Sequence, residues 1–316
     1  MINFIIGERG GGKTYGALKS SIQDFLKNHR QFLYIRRTQV ELDEALPKIF
    51  DAIKINEEFP DYEFHVKGNT LFINDEIIGF GVALSTAKNL KSNTFTSVYT
   101  AIYDEFIIEG HNGKYLKNEV NAFFNVLETV MRLRDFRCVL LGNAVSISNP
   151  YFDEFGIDKP YNSEFKLYKD GLILVHYTKN QAYRDYKTQT KFGRLISGTD
   201  YGNYAIKNEM LCDNNSFIEK KTGKCRHWSV IIIDNIRMGV WINYQTGLVY
   251  LSKDYDPKHP CVVVFDLNQH TSSTILAISK TNQWVRPIAD ALRDGRLRFE
   301  TQKIKNAAMR VLAKML

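Results

Sequence analysis

A glycine-rich segment near the start of the sequence has the residue types that bind a polyphosphate. It matches the P-loop pattern in full, as Gly7-Glu8-Arg9-Gly10-Gly11-Gly12-Lys13-Thr14. Glycines let the backbone fold tightly, so that successive N–H groups point at the phosphates, and the helix-compatible run that follows adds a positive dipole. Lys13 would bridge the β- and γ-phosphates of ATP, and Thr14 would offer its hydroxyl to Mg²⁺. The segment predicts a site for a nucleoside triphosphate with magnesium, which by itself could belong to a kinase, a GTPase or a motor.

Two carboxylates follow an apolar run later in the chain. The run from Val98 to Tyr103 has the pattern of a buried strand, and it ends in Asp104 and Glu105. Asp104 is the candidate for holding the Mg²⁺ hydration shell, and Glu105 is the candidate base that polarises the attacking water. Such a pair is more often a solvated turn, but beside a P-loop the catalytic interpretation is favoured. The combination is typical of the additional-strand catalytic-glutamate class of P-loop ATPases.

That class places one more strand between the P-loop strand and the acidic strand, and this strand ends in a polar residue near the γ-phosphate. The run from Cys138 to Gly142 fits the extra strand, and Asn143 follows it. An asparagine at a strand end is also a common turn residue. Because the other two motifs are present, we favour Asn143 as the residue that senses the γ-phosphate.

Arginines before the predicted sensor strand suggest a site that a second subunit completes. Arg132 and Arg134 lie at the end of a helical pattern that runs from Val120 to Met131. An arginine from a neighbouring subunit can stabilise the charge that builds on the transferred phosphoryl group. The same residues could instead complement the helix dipole, and the residues alone leave both interpretations open. Four other cations could follow DNA phosphates or reach a nucleotide, although a solvated charge is the favoured interpretation for each of them; they are Arg36, Arg37, Lys88 and Lys91.

The elements that must position these motifs alternate between strand and helix patterns in the first half of the chain. This alternation predicts an α/β fold with a mostly parallel sheet. The predicted strands are Ile2 to Ile6, Phe32 to Ile35, Val98 to Tyr103 and Cys138 to Leu141, with a small antiparallel meander at Tyr62 to Leu84. A polar, glycine-interrupted stretch from Lys187 to Asn215 predicts a connecting element.

The last third of the sequence predicts a separate α+β domain, because successive strand patterns are followed by helical ones. Its predicted strands are Ser229 to Ile233, Met238 to Asn243, Leu248 to Leu251 and Val262 to Phe265. Its predicted helices lie around Trp284 to Leu292 and Thr301 to Met315.

Composition limits the class of protein further. A chain of 316 residues with 44% apolar residues can form about two folded domains. A formal net charge of +7 and a pI near 9.0 favour a polyanionic partner. No apolar stretch approaches the roughly 20 residues that cross a bilayer, so we expect a cytoplasmic protein without a membrane partner.

These motifs together resemble those of the DNA-encapsidation ATPases of small tailed phages, which package a protein-primed genome through a portal ringed by a packaging RNA. The resemblance covers nearly the whole chain. The P-loop and the acidic run Tyr103 to Phe106 are common to many ATPases. The segment Phe32 to Arg37 also carries the resemblance, and the more particular segments are Asn143 to Ser146, Asn149 to Phe152 and Phe192 to Ile196.

The resemblance implies a homopentameric ring that acts in the host cytoplasm, on the portal or connector of a prohead, and translocates double-stranded DNA. It also implies contact with the packaging RNA. On this comparison Arg132 looks like the family's trans-acting arginine finger, and Lys91 looks like a second trans-acting cation. The implied domains are an ATPase domain at residues 1–184, a linker or lid region at 185–214, and a C-terminal domain at 215–316 that resembles a vestigial RNase H-like nuclease.

A working nuclease of that kind needs clustered carboxylates that hold two metal ions. The spacing of the available aspartates establishes no such cluster, so we expect no nuclease activity; they are Asp234, Asp254, Asp256 and Asp266. Basic residues of the same region would suit contact with nucleic acid or the portal. They are Arg286, Arg293, Arg296, Arg298, Lys303, Lys305 and Arg310. Two alternatives stay open: a helicase or helicase loader of the same ATPase class, and an ATP-gated nucleic-acid-binding assembly factor.

Overall fold

The computed structural model describes residues 1–92, 95–108, 114–143, 149–157, 164–178, 180–207, 217–233, 236–277 and 282–312. The chain divides into two compact units, residues 1–212 and residues 213–316, and each is described by itself. Within the described ranges, no helix is both long enough and apolar enough to cross a membrane.

Nine strands form one sheet in the first unit. They are β1 (Ile2–Gly7), β2 (Gln31–Arg36), β3 (Phe64–Lys67), β4 (Thr70–Ile73), β5 (Glu76–Ala83), β6 (Val98–Asp104), β7 (Arg137–Asn143), β8 (Phe165–Tyr168) and β9 (Ile173–Tyr177). Their order across the sheet is β3-β4-β5-β2-β6-β7-β1-β9-β8. The six central strands, β5, β2, β6, β7, β1 and β9, run parallel to one another. At the two edges, β3 and β4 on one side and β8 on the other pair in the antiparallel sense. The predicted α/β class is confirmed, and β7 lies between β1 and β6, as the catalytic-glutamate class requires.

Helices cover both faces of this sheet because its central strands are apolar on both sides. They are α1 (Lys13–Asn28), α2 (Gln39–Ala45), α3 (Asp51–Ile55), α4 (Glu119–Met131) and α5 (Pro150–Phe155). On one face, Ile22 of α1 packs in a core with Tyr34 of β2. On the other face, Phe123 of α4 and Tyr151 of α5 share a core with Phe4 of β1. The apolar periodicity that predicts a helix from Val120 to Met131 therefore corresponds to α4.

The part of the chain that follows α5 has more regular structure than its sequence indicates. The β8–β9 hairpin extends the sheet beyond β1, and three short helices follow it: α6 (Gln181–Gln189), α7 (Lys191–Ile196) and α8 (Asp200–Lys207). Helix α6 buries no residue completely, so no apolar periodicity marks it in the sequence. Its first turn is capped by the side chain of Asn180, which accepts a hydrogen bond from the Tyr183 N–H at 3.0 Å. The described part of the predicted connecting element, which ends at Lys207, is thus largely helical.

The second unit consists of a six-stranded sheet with two helices. The strands are β10 (Arg226–Ile233), β11 (Ile236–Ile242), β12 (Val249–Ser252), β13 (Val262–Val264), β14 (Ile275–Leu276) and β15 (Leu297–Phe299), in the order β14-β13-β10-β11-β12-β15. Helices α9 (Arg286–Arg293) and α10 (Gln302–Leu312) bury Ile288 and Ile304 in one core with Val240. The predicted strands and helices of an α+β unit are present. Strands β14 and β15 are too short to produce a sequence pattern.

A buried carboxylate connects four elements of the first unit. Glu119, at the start of α4, is only 2% exposed. It accepts hydrogen bonds from Arg37 Nε at 2.9 Å, the Tyr103 hydroxyl at 2.8 Å and the Tyr151 hydroxyl at 3.1 Å. A fourth donor is the Leu116 N–H at 2.9 Å. Burial raises the pKa of Tyr103 well above its ordinary value, and the Glu119 charge adds to this, so the hydroxyl stays protonated as a donor.

Loss of the Glu119 carboxylate is expected to destabilise the first unit. In Glu119→Ala the buried Arg37 guanidinium loses its counter-ion, and breaking a buried pair in this way costs about 3–5 kcal/mol. We expect a loss of that size in the free energy of unfolding measured by urea titration. Glu128→Ala, which removes an exposed glutamate of the same helix, should change that free energy by less than about 0.5 kcal/mol. Equal stability of the two variants would show that the Arg37–Glu119 pair contributes nothing.

Candidate nucleotide site

The P-loop has glycines where its backbone turns in the left-handed sense. Strand β1 ends at Gly7, and Gly10 and Gly12 have φ angles of 81° and 77°. Gly12 is also the N-cap of α1, which begins at Lys13 and is 16 residues long. The loop therefore ends at a helix N-terminus, where unpaired N–H groups and the helix dipole favour an anion.

Lys13 connects the loop to the predicted sensor. Its Nζ donates hydrogen bonds to Asn143 Oδ1 at 2.7 Å and to the carbonyl oxygens of Gly7 at 3.2 Å and Glu8 at 2.8 Å. The strand register explains the first contact, because Gly7 of β1 is the partner of Asn143 in β7. Two motifs that are 130 residues apart in sequence thus meet at one sheet edge.

Asp104 is the point where the P-loop helix meets the acidic strand. Thr14 Oγ1 donates to Asp104 Oδ1 at 3.0 Å, and the Tyr34 hydroxyl donates to Oδ2 at 2.9 Å. Arg36 Nη1 lies 3.4 Å from the same oxygen. Burial raises the pKa of Tyr34 above its ordinary value, and the Asp104 charge raises it further, so the phenol remains a donor. A threonine hydroxyl beside a carboxylate is the donor set that P-loop enzymes use for Mg²⁺.

Glu105 projects beyond the end of β6. Its side chain is 62% exposed, and its φ angle of 57° places the backbone in the left-handed region. Arg36 Nη2 donates to Glu105 Oε2 at 2.7 Å. Arg37 donates to the Glu105 carbonyl oxygen at 3.3 Å and to that of Phe106 at 2.7 Å, which fixes the turn from behind. Two arginines thus hold the predicted catalytic residue.

Arg36 and Arg37 are buried, although the sequence predicts that they are exposed to solvent. The sequence favours solvated charges at Arg36 and Arg37, and that expectation is wrong, because the residues are only 8% and 5% exposed. Burial disfavours the charge of Arg36, but the neighbouring Tyr34 and Glu105 outweigh it, so the pKa of Arg36 lies above its ordinary value. Their position after β2 is visible in the sequence. Their burial is not, because the covering segments are about 70 residues away.

The two arginines that follow α4 have different environments. Arg132 is exposed and has φ 53° and ψ −120°, a backbone conformation that is uncommon for a residue with a side chain. Arg134 points back into the first unit and donates to the carbonyl oxygens of Phe95 at 2.6 Å and Met131 at 3.2 Å. Arg134 therefore fastens the turn on which Arg132 lies.

The remaining sequence candidates are only partly described. Lys88 is exposed in the 3₁₀ segment Leu84–Ser92. Lys91 belongs to the same segment, but its side chain lies outside the described residues, as do Ala144 to Ser146 of the family-like run after Asn143.

A cavity of about 440 Å³ opens over the motif residues. Its polar wall includes Lys13, Asp104 and Asn143, and its apolar wall includes Ile49 and Ile53. Ligand sites in proteins commonly have volumes of about 300–1,000 Å³. The cavity is thus large enough for a nucleoside triphosphate, and its polar wall coincides with the phosphate-binding motif.

The described aspartates that the sequence offered for a nuclease site have separate hydrogen-bond or ion-pair partners. Asp254 pairs with Lys221 at 2.9 Å, Asp256 accepts the Lys258 N–H at 2.9 Å, and Asp266 caps a short 3₁₀ turn. No group of three or more potential metal ligands occurs among the residues that the structure describes, and Asp234 lies outside them. Several of the basic residues here form surface ion pairs, namely Arg286 and Arg293 with Asp290, Arg296 with Asp294, and Arg298 with Glu219.

Known proteins match the whole chain. A family model, Podovirus DNA encapsidation protein (Gp16), matches residues 1–316. The DNA packaging protein of Bacillus phage B103 is 38% identical over 317 residues, which cover 100% of this chain and 97% of the relative. A chain in the bacteriophage Phi-29 viral genome packaging motor assembly has a TM-score of 0.81 at 35% identity, with 100% of this chain and 95% of that chain covered. The N-terminal domain of the DNA packaging ATPase from bacteriophage phi29 has a TM-score of 0.53 at 38% identity, with 58% and 92% covered. This chain therefore belongs to the Podovirus DNA encapsidation protein family.

Proposed function

We propose that this chain is the ATP-hydrolysing subunit of a motor that translocates double-stranded DNA into a prohead through its portal. The observation that carries the proposal is the meeting of three motifs at one sheet edge, with Lys13 on Asn143 at 2.7 Å and Thr14 on Asp104 at 3.0 Å. Membership of an encapsidation family supports DNA as the translocated polymer. Together they favour a packaging ATPase over a helicase or an assembly factor without turnover.

The nucleotide would lie on the P-loop. Residues Gly7 to Gly12 would surround the phosphates, and Lys13 would exchange its carbonyl partners for phosphate oxygens. Thr14 and Asp104 would hold Mg²⁺, which, when bound, neutralises charge on the β- and γ-phosphate oxygens. Asn143, already hydrogen-bonded to Lys13, would respond to the γ-phosphate.

Glu105 would orient the attacking water and accept its proton. In the structure the carboxylate is paired with Arg36 at 2.7 Å. That pair uses Oε2, and a carboxylate can accept several hydrogen bonds, so Glu105 would orient the water either beside Arg36 or after releasing it. Any movement of β2 relative to β6 would change that contact, which couples the geometry of the sheet edge to turnover.

The site would be completed by the neighbouring subunit. Arg132 has the exposure that a trans-acting arginine needs, and its backbone strain of about 1–3 kcal/mol fits a functional turn. Lys91 would be a second trans-acting cation. Arg134, whose guanidinium is bound by backbone carbonyls of its own subunit, would position Arg132 rather than share its role.

We assign the ATPase to residues 1–184, a linker or lid to 185–214, and contact with the portal or the packaging RNA to 215–316. The ring would be a homopentamer that assembles transiently on the prohead in the host cytoplasm. The lack of a group of three or more potential metal ligands among the described residues supports a C-terminal domain without nuclease activity.

Double-stranded DNA should stimulate ATP hydrolysis more than single-stranded DNA or RNA. A translocating motor hydrolyses ATP while it moves along its polymer, so the steady-state rate reports which polymer it grips. We would measure phosphate release while titrating each nucleic acid. Separation of the strands of a forked duplex by the isolated protein would contradict the proposal and favour a helicase.

Glu105→Gln should stop turnover while ATP binding is retained. Loss of a general base lowers the rate by about 10²–10⁴-fold, and the amide keeps the size of the side chain. The measurement pairs DNA-stimulated phosphate release with the dissociation constant for Mg²⁺-ATP. Glu63→Gln, which changes an exposed glutamate outside the site, serves as the matched control. A variant that kept more than about a tenth of the wild-type rate would exclude Glu105 as the base.

Mixed rings should show whether Arg132 acts in trans. Arg132→Ala leaves its own P-loop intact, and Lys13→Ala leaves its own Arg132 intact, so each pure ring should be inactive. A mixture on proheads should regain DNA-stimulated hydrolysis wherever an intact Arg132 faces an intact P-loop. Arg134→Ala should behave like Arg132→Ala in the same mixture, because it loosens the same turn. Mixtures as inactive as the pure rings would show that Arg132 acts within its own subunit.

A further inference from the structure

Helix α6 lies directly against the P-loop. The Tyr183 hydroxyl donates to the Arg9 carbonyl oxygen at 2.9 Å, and Lys187 Nζ donates to the same oxygen at 3.4 Å. A Cβ atom at Gly10 would lie 2.5 Å from the Tyr183 hydroxyl oxygen. The top of the loop is therefore shaped by α6 as well as by its own glycines.

The same helix supplies the partner of a buried charge inside the loop. Glu8 is only 1% exposed, and its Oε1 accepts a hydrogen bond from Arg184 Nε at 2.5 Å. Its other carboxylate oxygen, Oε2, is buried without a hydrogen-bond partner among the described residues. Burial raises the pKa of Tyr183, and the charge of the nearby Glu8 raises it further. Arg184 is the cation that pairs with the Glu8 carboxylate.

A negatively charged carboxylate at this position would repel the phosphates that a phosphate-binding loop has to bind. The Glu8 carbonyl oxygen accepts a hydrogen bond from Lys13 Nζ at 2.8 Å, and the Gly11 N–H donates to the same oxygen at 3.1 Å. The peptide that carries the carboxylate thus belongs to the phosphate-binding turn itself. Away from water, an unpaired negative charge repels phosphate oxygens much more strongly than a solvated one.

We propose that Arg184 is a positioning residue of the nucleotide site: it neutralises the buried Glu8 carboxylate and thereby allows the P-loop to accept a polyphosphate. The inference rests on the nucleotide site proposed above. Arg184 would act on nucleotide binding through Glu8, without contacting the phosphates itself. This role also makes α6 part of the ATP-binding machinery, although Arg184 is 176 residues from Glu8 in sequence.

A double-mutant cycle on the full chain tests this assignment. The readout is the dissociation constant for ATPγS with Mg²⁺, measured by titration calorimetry, together with KM and kcat for ATP. Arg184→Ala should weaken binding by about tenfold or more, because it leaves the Glu8 charge unpaired in the loop. The effect should appear mainly in KM. Adding Glu8→Gln to Arg184→Ala removes the unpaired charge and should restore most of the lost affinity.

Two other variants separate charge from structure. Arg184→Lys keeps the positive charge and should bind ATPγS within a few-fold of the wild type. Arg237→Ala removes an exposed arginine of β11 in the second unit, outside the nucleotide site, and should leave binding unchanged. Melting temperatures of all variants show whether each one is folded. If Arg184→Ala does not fold, the comparison of Arg184→Lys with Arg184→Gln, each with and without Glu8→Gln, replaces it.

Each result decides the matter. Equal affinity of Arg184→Ala and the wild type would overturn the inference. A double variant as weak as Arg184→Ala would also overturn it, because Arg184 would then act on the phosphates directly. A wild-type chain that does not bind ATPγS would instead contradict the proposed nucleotide site.

Discussion

The buried pair of Arg37 and Glu119 is the interaction on which the rest of the site depends. A charge removed from water is tolerated only when it is paired and hydrogen-bonded, and these two residues satisfy each other with the help of Tyr103 and Tyr151. The remaining donors of Arg37 bind the backbone that follows β6, where Glu105 lies. The turn that carries the predicted base is thus held by the same guanidinium that holds the start of α4.

Helix α4 extends this constraint across the first unit. Its first residue, Glu119, is fixed in the core, and its last residue, Met131, precedes the exposed Arg132. Arg134 fastens the far end to the carbonyl oxygen of Phe95. A single packed helix thus spans the distance between the buried Glu119 and the exposed Arg132.

The carboxylates around the P-loop are paired with arginines. Asp104 is shared by Thr14, Tyr34 and Arg36, and Arg36 also holds Glu105. On the other side of the loop, Arg184 holds Glu8. Each carboxylate near the phosphate-binding loop therefore has a buried or half-buried cation beside it. In the proposed mechanism, these pairs would allow the acidic side chains assigned to magnesium and water to lie beside an anionic ligand.

The sequence by itself determined the P-loop, the acidic pair, the sensor strand, the α/β class and the α+β unit, because each of these depends on a short motif or a local apolar pattern. It also placed Arg132 and Arg134 at the end of α4, yet it could not tell that Arg132 is exposed while Arg134 binds backbone carbonyls. Only the tertiary structure decided the burial of Arg36 and Arg37 and the placement of α6 on the P-loop. Helix α6 has no apolar stripe, and the Glu8–Arg184 pair joins residues at opposite ends of the first unit's sequence. Such contacts arise from how the sheet orders its strands, and no local pattern of residues encodes that order.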